Sequence, residues 1–470
     1  MSANPQVVYR TNDSSSLYQS IKSRNSLTNA FDYSSEANIC PFAKSKIVVN
    51  SQTSMNTTSA QVVKFQLPDH LLLQKLFLKT SFAGGADTNA GGSNEIALTE
   101  FAGYACVNEI RFIYQGSEIF RGDLYSLMIG DYSRATSEEA VMLDFMSGAG
   151  ILGAENGTLG QVTGRKAMAS QGNQIDLAVP IHSFFAEKLG TSLDLAALAS
   201  PVFVEVSYKD VASVHEESDS TTTYAGSELI CYGVDLPSNE RAAYNARNYA
   251  AGSVASQLGY TTVRFSQSET IVRQAENTQG ASGTEIKLNS ISGLVRRLYC
   301  FATLDTDTNA NNYFKFVDVN LVRLKAGNQV VYEIEHAHAG VDVVAAANSG
   351  NGYRVDNVIE MYNNKLPMSC KHLINSDVDP SVRSALAPLG AGTTDLSKVK
   401  VINFGYSPDA RSAADGLVSF SGLNNPVLEM KLSLAATSAA HTIHVVAEVV
   451  DVITYNTSQN GVINLKQITE

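Results

Sequence analysis

Few stretches of this chain carry residues whose types and spacing could do chemistry. Gly148-Ala149-Gly150-Ile151-Leu152-Gly153 has the G-x-G-x-x-G spacing. In a dinucleotide site such a loop lets the backbone approach a pyrophosphate at a helix N-terminus, so it needs a strand before it and a helix after it. Here a helical pattern precedes the glycines and Glu155-Asn156-Gly157 follows, so a surface loop is expected. His336 and His338 are two apart and would share one face of a strand. A metal needs a third or fourth ligand at fixed geometry, and nothing in the spacing of His372, His441 or His444 places them alongside. Histidines at strand ends, in an interface or core, are expected instead. No nucleophile elbow, phosphate-binding loop or zinc-protease motif occurs, and the carboxylates are scattered. No catalytic, cofactor-binding or metal-binding residue is assigned on this basis, and neither an enzymatic activity nor a cofactor is expected. For Glu240 and Arg241 two roles stay open, a solvated charge pair at a helix start and a clamp between two domains.

The five cysteines, Cys40, Cys106, Cys231, Cys300 and Cys370, are widely spaced and include no C-x-x-C. Cys106 and Cys300 sit in strand-like apolar runs, which predicts buried thiols. An odd count without close spacing fits a reducing compartment. The N-terminus lacks a charged-then-apolar signal pattern, and no apolar run approaches the roughly 18 residues of a spanning helix. The net charge of −12 argues against a nucleic-acid binder. Residues 1–48 run the other way, with Arg10, Lys22, Arg24, Lys44 and Lys46 against Asp13, Asp32 and Glu36.

The elements that would position any site are strands. The chain is 44% apolar, as in globular proteins, but only 17% charged, below the usual value of about 25%. That mix suits strands joined by ordered loops and large surfaces that meet protein. Many short alternating runs with Gly, Pro and Asn turns predict sandwiches or barrels. Val107–Phe120 (VNEIRFIYQGSEIF) reads as strand, tight turn and strand, and Val319–Tyr332 (VNLVRLKAGNQVVY) repeats its opening. Each copy follows an apolar strand with basic residues, Gln74–Thr80 and Leu294–Tyr299. Such a repeat predicts two diverged copies of one β-domain. The expected organisation is an arm over 1–45, a first domain over 46–236, a linker helix over 237–255, a second domain over 256–456 and a C-terminal tail over 457–470. Short helices are expected after Asp123, from Ser137 and from about Ser238, and separate strands at 261–265 and 271–275. Phe203 and Val445 lie in alternating strands and are expected in the core. The hairpins should occupy matching places, Val107 with Val319 and Arg111 with Arg323.

Five stretches together resemble a known family, the double jelly-roll major capsid proteins of double-stranded DNA viruses, those of nucleocytoplasmic large DNA viruses and their relatives above all. They are Val107–Phe120 with Asp123-Leu124-Tyr125; Leu177–Ile181 with Phe184-Phe185; Leu193–Leu198 leading into Val202–Val206; Val234–Arg241; and Phe404–Pro408 with Gly416–Ser421 and Asn424-Asn425. The last departs from the family's pattern at Ser419, Leu423 and Ala414-Asp415, and Trp is absent. The likeness spans about residues 60–455. It implies an all-β fold of two tandem jelly-roll β-sandwiches with a few short helices. It further implies a homotrimer forming a pseudo-hexagonal capsomer of an icosahedral virion, made in the host cytoplasm. Neighbouring capsomers and minor capsid proteins would be its partners, without direct nucleic-acid binding. An internal membrane would lie beneath the shell, within reach of residues 1–45. The competing class is a lectin-like, carbohydrate-binding β-sandwich, which is also built from jelly rolls. It would show exposed aromatic platforms or a calcium-binding carboxylate cluster in its loops, and the long loops here are poor in aromatics.

Overall fold

Period-two alternation of apolar and polar residues builds this molecule, because each strand has one face to bury. The computed structural model describes residues 43–83, 95–99, 101–148, 168–170, 174–182, 185, 192–214, 222–270, 284–304, 313–314, 316, 319–335, 399–405, 416–432 and 440–468. The first half contains β1 (Ala43–Asn50), β2 (Gln61–Gln66), β3 (Leu72–Ala83), β4 (Glu95–Ala97), β5 (Val107–Tyr114), β6 (Ser117–Asp123), β7 (Met168–Ser170), β8 (Gln174–Pro180), β9 (Leu193–Asp194), β10 (Val202–Tyr208) and β11 (Thr223–Asp235). Its helices are α1 (Ala102–Ala105), α2 (Leu124–Arg134) and α3 (Ser137–Ser147). Eight of the strands form two antiparallel sheets, in the orders β1-β11-β3-β8 and β2-β10-β5-β6. Strand β9 adds to β3, and β4 pairs with β7.

Helix α4 (Ser238–Asn248) leads into the second half. There follow β12 (Val254–Thr270), β13 (Thr284–Lys287), β14 (Leu294–Leu304), β15 (Val319–Ala326), β16 (Gln329–Glu335), β17 (Lys400–Asn403), β18 (Val418–Ser419), β19 (Pro426–Leu432), β20 (Ala440–Thr457) and β21 (Ile463–Ile468). The sheets are β12-β20-β14-β17, with β18 on β14 and β21 on β20, and β13-β19-β15-β16. Matched in chain order, these are the strand orders of the first half. The fold is all-β, two jelly rolls in tandem with a few short helices.

Registers match as well as orders. Between β10 and β5, Ser207 pairs with Glu109 and Tyr208 with Val107, which leaves Asn108 as a bulge. Between β19 and β15, Lys431 pairs with Leu321 and Leu432 with Val319, which leaves Asn320. The repeated Val-Asn pair therefore marks a β-bulge, where one residue goes unpaired and the strand twists more sharply. Four residues on, Arg111 stands opposite Glu205 and Arg323 opposite Glu429. The expected correspondence of the hairpins holds. In the other sheets Gln74 and Arg296 are each skipped in the pairing, again at one position of the shared pattern.

The first core lies between its two sheets and holds Phe65, Leu76, Leu78, Phe112, Val204 and Leu229. The second holds Leu298, Cys300, Leu324, Leu428, Val445 and Ala447. Val445 is where its alternation puts it. Phe203 is not: Val202, Val204 and Val206 take the inner face of β10, and half-buried Phe203 lies outside beneath the Lys64 ammonium, 4.4 Å from the ring centroid. A strand's alternation defines two faces and does not say which is inside. A further difference is β12, one continuous strand through 254–270, whereas 271–275 lies outside the described residues. Strand β1 begins at Ala43, and in the C-terminal stretch Ile463–Ile468 pairs with β20.

Candidate functional site: the seam between the two sandwiches

Helix α2 is placed by its first residue. Asp123 accepts from the backbone N–H of Ser126, and the Ser126 hydroxyl accepts from the backbone N–H of Asp123, a reciprocal cap that starts the helix where the sheet ends. All eleven residues of α2 are buried. The helix belongs to the first sandwich but packs on the outer face of β12, β20 and β14 in the second, and this contact forms the seam.

At one end of the seam, Tyr125 of α2 meets Phe301 and His444, with ring centroids 5.4 and 4.7 Å away. Its hydroxyl donates to the Tyr313 carbonyl at 2.8 Å. Arg264 of β12 pairs with the Asp123 carboxylate and lies 5.2 Å from the centre of the Tyr125 ring. An Arg264 amino group also donates to His444 Nδ1 at 3.2 Å, so the imidazole proton sits on Nε2, which donates to Thr303 Oγ1 at 2.8 Å. Burial, and then the Arg264 charge, push the His444 pKa down to about 3. This histidine is a neutral, fixed hydrogen-bonding group.

At the other end, the Glu448 carboxylate of β20 is fully buried and faces three guanidinium groups. Arg134 of α2 lies 3.8 Å away, Arg296 3.9 Å and Arg297 4.0 Å. Arg297 also donates to Asn403 Oδ1 at 3.4 Å. One sandwich thus lends a cation to a buried carboxylate of the other. Removing one partner from such a group leaves uncompensated buried charge, the costly case.

The linker closes the seam from a third side. Arg241 of α4 donates to Asp194 at 2.8 Å, and the Tyr249 hydroxyl donates to the other carboxylate oxygen at 3.1 Å. The backbone N–H of Asp194 donates to the Tyr455 hydroxyl of β20 at 3.2 Å. Asp194 is fully buried; burial raises its pKa, and the Arg241 charge opposes that rise. Arg241 thus ties the linker helix to Asp194 of the first sandwich.

The helices that brace the seam are pinned in turn. Tyr104 of α1 and His182 both bond buried Asp131 of α2, at 2.5 and 2.6 Å, and Tyr132 donates to Asp144 of α3 at 2.6 Å. Gly148 ends α3 with a φ of 87°, and the other glycines of its motif lie outside the described residues. So do His336, His338 and His372. Cys106, Cys231 and Cys300 are buried free thiols. Burial pushes the pKa of Cys106 and of Cys231 up to about 12 and raises that of Cys300, so these thiols stay protonated. Among the described residues no group of three His, Cys, Asp or Glu could hold a metal, and no helix is long and apolar enough to cross a membrane. An open hollow of about 510 Å³ lies by Asn108, Lys209, Asp210 and Tyr313, next to the Tyr125 end of the seam. The Lys209 ammonium there sits 3.5 Å from the centre of the Tyr313 ring, and burial pushes its pKa down to about 8.

Sequence reasoning did not single out Glu448, Arg134, Arg296, Arg297 or Asp194 as site residues. A signal was present for some of them. Arg296-Arg297 and Glu448 interrupt apolar runs, LVRRLYCF and HVVAEVVDV. Charges inside strands that read as buried need partners of opposite sign.

No protein-family model and no curated protein sequence matches this chain. Solved structures do. A chain of the PBCV-1 virus capsid, in a quasi-atomic model, is 14% identical; the match covers 91% of this chain and 97% of that one with a TM-score of 0.58. The Faustovirus major capsid protein is 10% identical, with 96% of each chain covered and a TM-score of 0.55. A chain in the structure of the Sputnik virophage is 11% identical, with coverage of 92% and 89% and a TM-score of 0.51. These chains share the double jelly-roll fold with this one over nearly its whole length.

Proposed function

We propose that this chain is a major capsid protein, three copies of which form a pseudo-hexagonal block that tiles an icosahedral virus shell. The observation that carries the proposal is the rigid side-by-side joining of two equivalent jelly rolls through a buried, charge-bearing seam. Three such chains present six similar sandwiches, the number that a hexagonal tile needs. The likeness in fold to capsid chains at full length supports the same role. The function is mechanical: the work is done by closed association of broad faces, with no bond made or broken.

The location follows as the virion shell, with synthesis in the host cytoplasm. Neighbouring capsomers and minor capsid proteins are the partners. The slightly basic arm, residues 1–45, belongs to assembly and meets those partners or an anionic membrane beneath the shell. The deciding measurement is the mass of the purified full-length chain in solution, by sedimentation or light scattering. A stable trimer is expected, and a monomer at all concentrations overturns the proposal. Deletion of residues 1–45 is expected to leave a folded trimer of nearly unchanged melting temperature that fails to form closed shells. Complete particles from the shortened chain would remove the arm from assembly.

A further inference from the structure

Lysines on this molecule stand in two kinds of surroundings. Lys64, Lys79 and Lys325 are paired with carboxylates, Lys79 and Lys325 with two each. Hydrogen bonds, led by those to Asp176 and to Glu285, raise the pKa of Lys79 and of Lys325. Lys209, just past the end of β10, is different. Among the described residues its ammonium meets no carboxylate and instead lies 3.5 Å from the centre of the Tyr313 ring. Burial outweighs the charges nearby and holds its pKa down at about 8. Those charges are largely occupied elsewhere. Asp123 and Arg264 pair with each other, and the Cys106 thiol stays protonated. Asp210 Oδ1 accepts from the backbone N–H of Ala212 at 3.0 Å, and the Tyr224 hydroxyl donates to the Lys209 carbonyl at 2.9 Å.

This lysine is also accessible to a small molecule. Lys209 and Tyr313 line the open hollow of about 510 Å³ together with Asn108, Ser207, Asp210 and Ser213. That volume lies within the range of about 300–1,000 Å³ that small-molecule sites occupy. Asn108 is the unpaired residue of the β5 bulge and is exposed, so its amide is free of the ladder at the hollow's edge. The Ser207 and Ser213 hydroxyls add further hydrogen-bonding groups, Ser213 while donating to the Asp210 carbonyl at 2.6 Å. A wall with a desolvated amine and a rim of amide and hydroxyl groups suits a small polar electrophile. At about pH 7.5 roughly a quarter of such an amine is neutral and nucleophilic, against about one part in a thousand for an ordinary lysine.

We propose that the hollow beside Lys209 is a site for a small polar aldehyde, which Lys209 binds covalently as a Schiff base. This goes beyond the capsid reading and does not depend on it. The Nζ lone pair attacks the carbonyl carbon and forms the C–N bond, while the carbonyl π pair moves onto oxygen. The two amine protons leave with that oxygen as water, and the C=N bond remains. Aldehyde and lysine thus give imine and water, with nothing oxidised or reduced. The Tyr313 ring stabilises the cationic amine before reaction and the protonated imine after it, since both are cations against a π face. Asn108 and Ser207 hold the hydroxyl groups of the bound molecule.

The test is reductive trapping of the purified full-length chain with glyceraldehyde and cyanoborohydride, read residue by residue by peptide mass spectrometry. At about pH 7.5 Lys209 is expected to be labelled about 10-fold faster or more than Lys75 and Lys287, which are exposed. Its rate should level off above about pH 9 and should saturate with aldehyde concentration, whereas the exposed lysines stay linear. Ser207→Phe, which fills the hollow from β10, should slow labelling of Lys209 about 5-fold or more and leave Lys75 and Lys287 unchanged. The wild-type rates and saturation decide the matter should that variant not fold. Labelling of Lys209 no faster than that of Lys75 overturns the proposal. A Lys209 rate that is fast but strictly linear in aldehyde overturns the binding site.

Discussion

The two jelly rolls keep the same skeleton and bury different things. Asn108 and Asn320 bulge at one place in the pattern, and Arg111 and Arg323 face Glu205 and Glu429 at another. Yet Tyr232 is exposed and its counterpart Glu448 is sealed among arginines from both sandwiches. Strand order and register answer to backbone hydrogen bonding and alternation, which both copies share. What lies on an outer face answers to what covers it, and there the copies differ. Diverged duplicates thus retain the features that specify pairing and change those that specify neighbours.

The largest test of that contrast is at the paired positions themselves. Glu448→Ala removes the buried carboxylate that Arg134, Arg296 and Arg297 face and is expected to cost about 3–5 kcal/mol in chemical denaturation. Tyr232→Ala, made in the monomer, is expected to cost under about 1 kcal/mol, because an exposed ring loses little. Equal costs would break the comparison.

A second pair sharpens it within the first sandwich. Phe112 is fully buried between the sheets, and Phe112→Ala is expected to cost about 3–4 kcal/mol. Phe203→Ala, on the outer face of the adjoining strand, is expected to cost about 1 kcal/mol, from the lost contact with Lys64 and part of the ring's burial.

The seam also predicts a pH dependence with a definite sign. His444 titrates near 3 when folded, against about 6.5 for an unperturbed histidine. Between those values the unfolded chain binds the proton and the folded chain does not, so acid favours unfolding. Its contribution is intact above about pH 6.5 and is lost progressively as pH falls towards 3, by about 2 kcal/mol at pH 5. The checking measurement is the difference in unfolding free energy between pH 7 and pH 5, which His444→Gln should reduce by that amount.

The smallest effect concerns what the copies share. Arg111 bonds Glu205 at 3.3 Å and Arg323 bonds Glu429 at 3.1 Å, both partly exposed to solvent. Arg111→Ala and Arg323→Ala are each expected to cost about 0.5–1 kcal/mol and to become milder at high salt. A clear inequality would mean that one copy relies on this pair more than its twin does.

The sequence by itself determined the duplication, the hairpins, the caps and the linker helix. Each is written in residues a few positions apart: Val-Asn and the following Arg mark bulge and register, and Asp123 with Ser126 closes a helix start. The tertiary structure alone decided which face of an alternating strand turns inward, as at Phe203, and which residues make the seam. Glu448 reaches Arg134 across more than three hundred residues of chain, and Asp194 gathers Arg241 and Tyr249 from the linker and Tyr455 from β20. Alternation is symmetric between two faces, so pattern cannot choose between them. A buried charge is stable only beside its partner, and that proximity exists only once two sandwiches have folded and met.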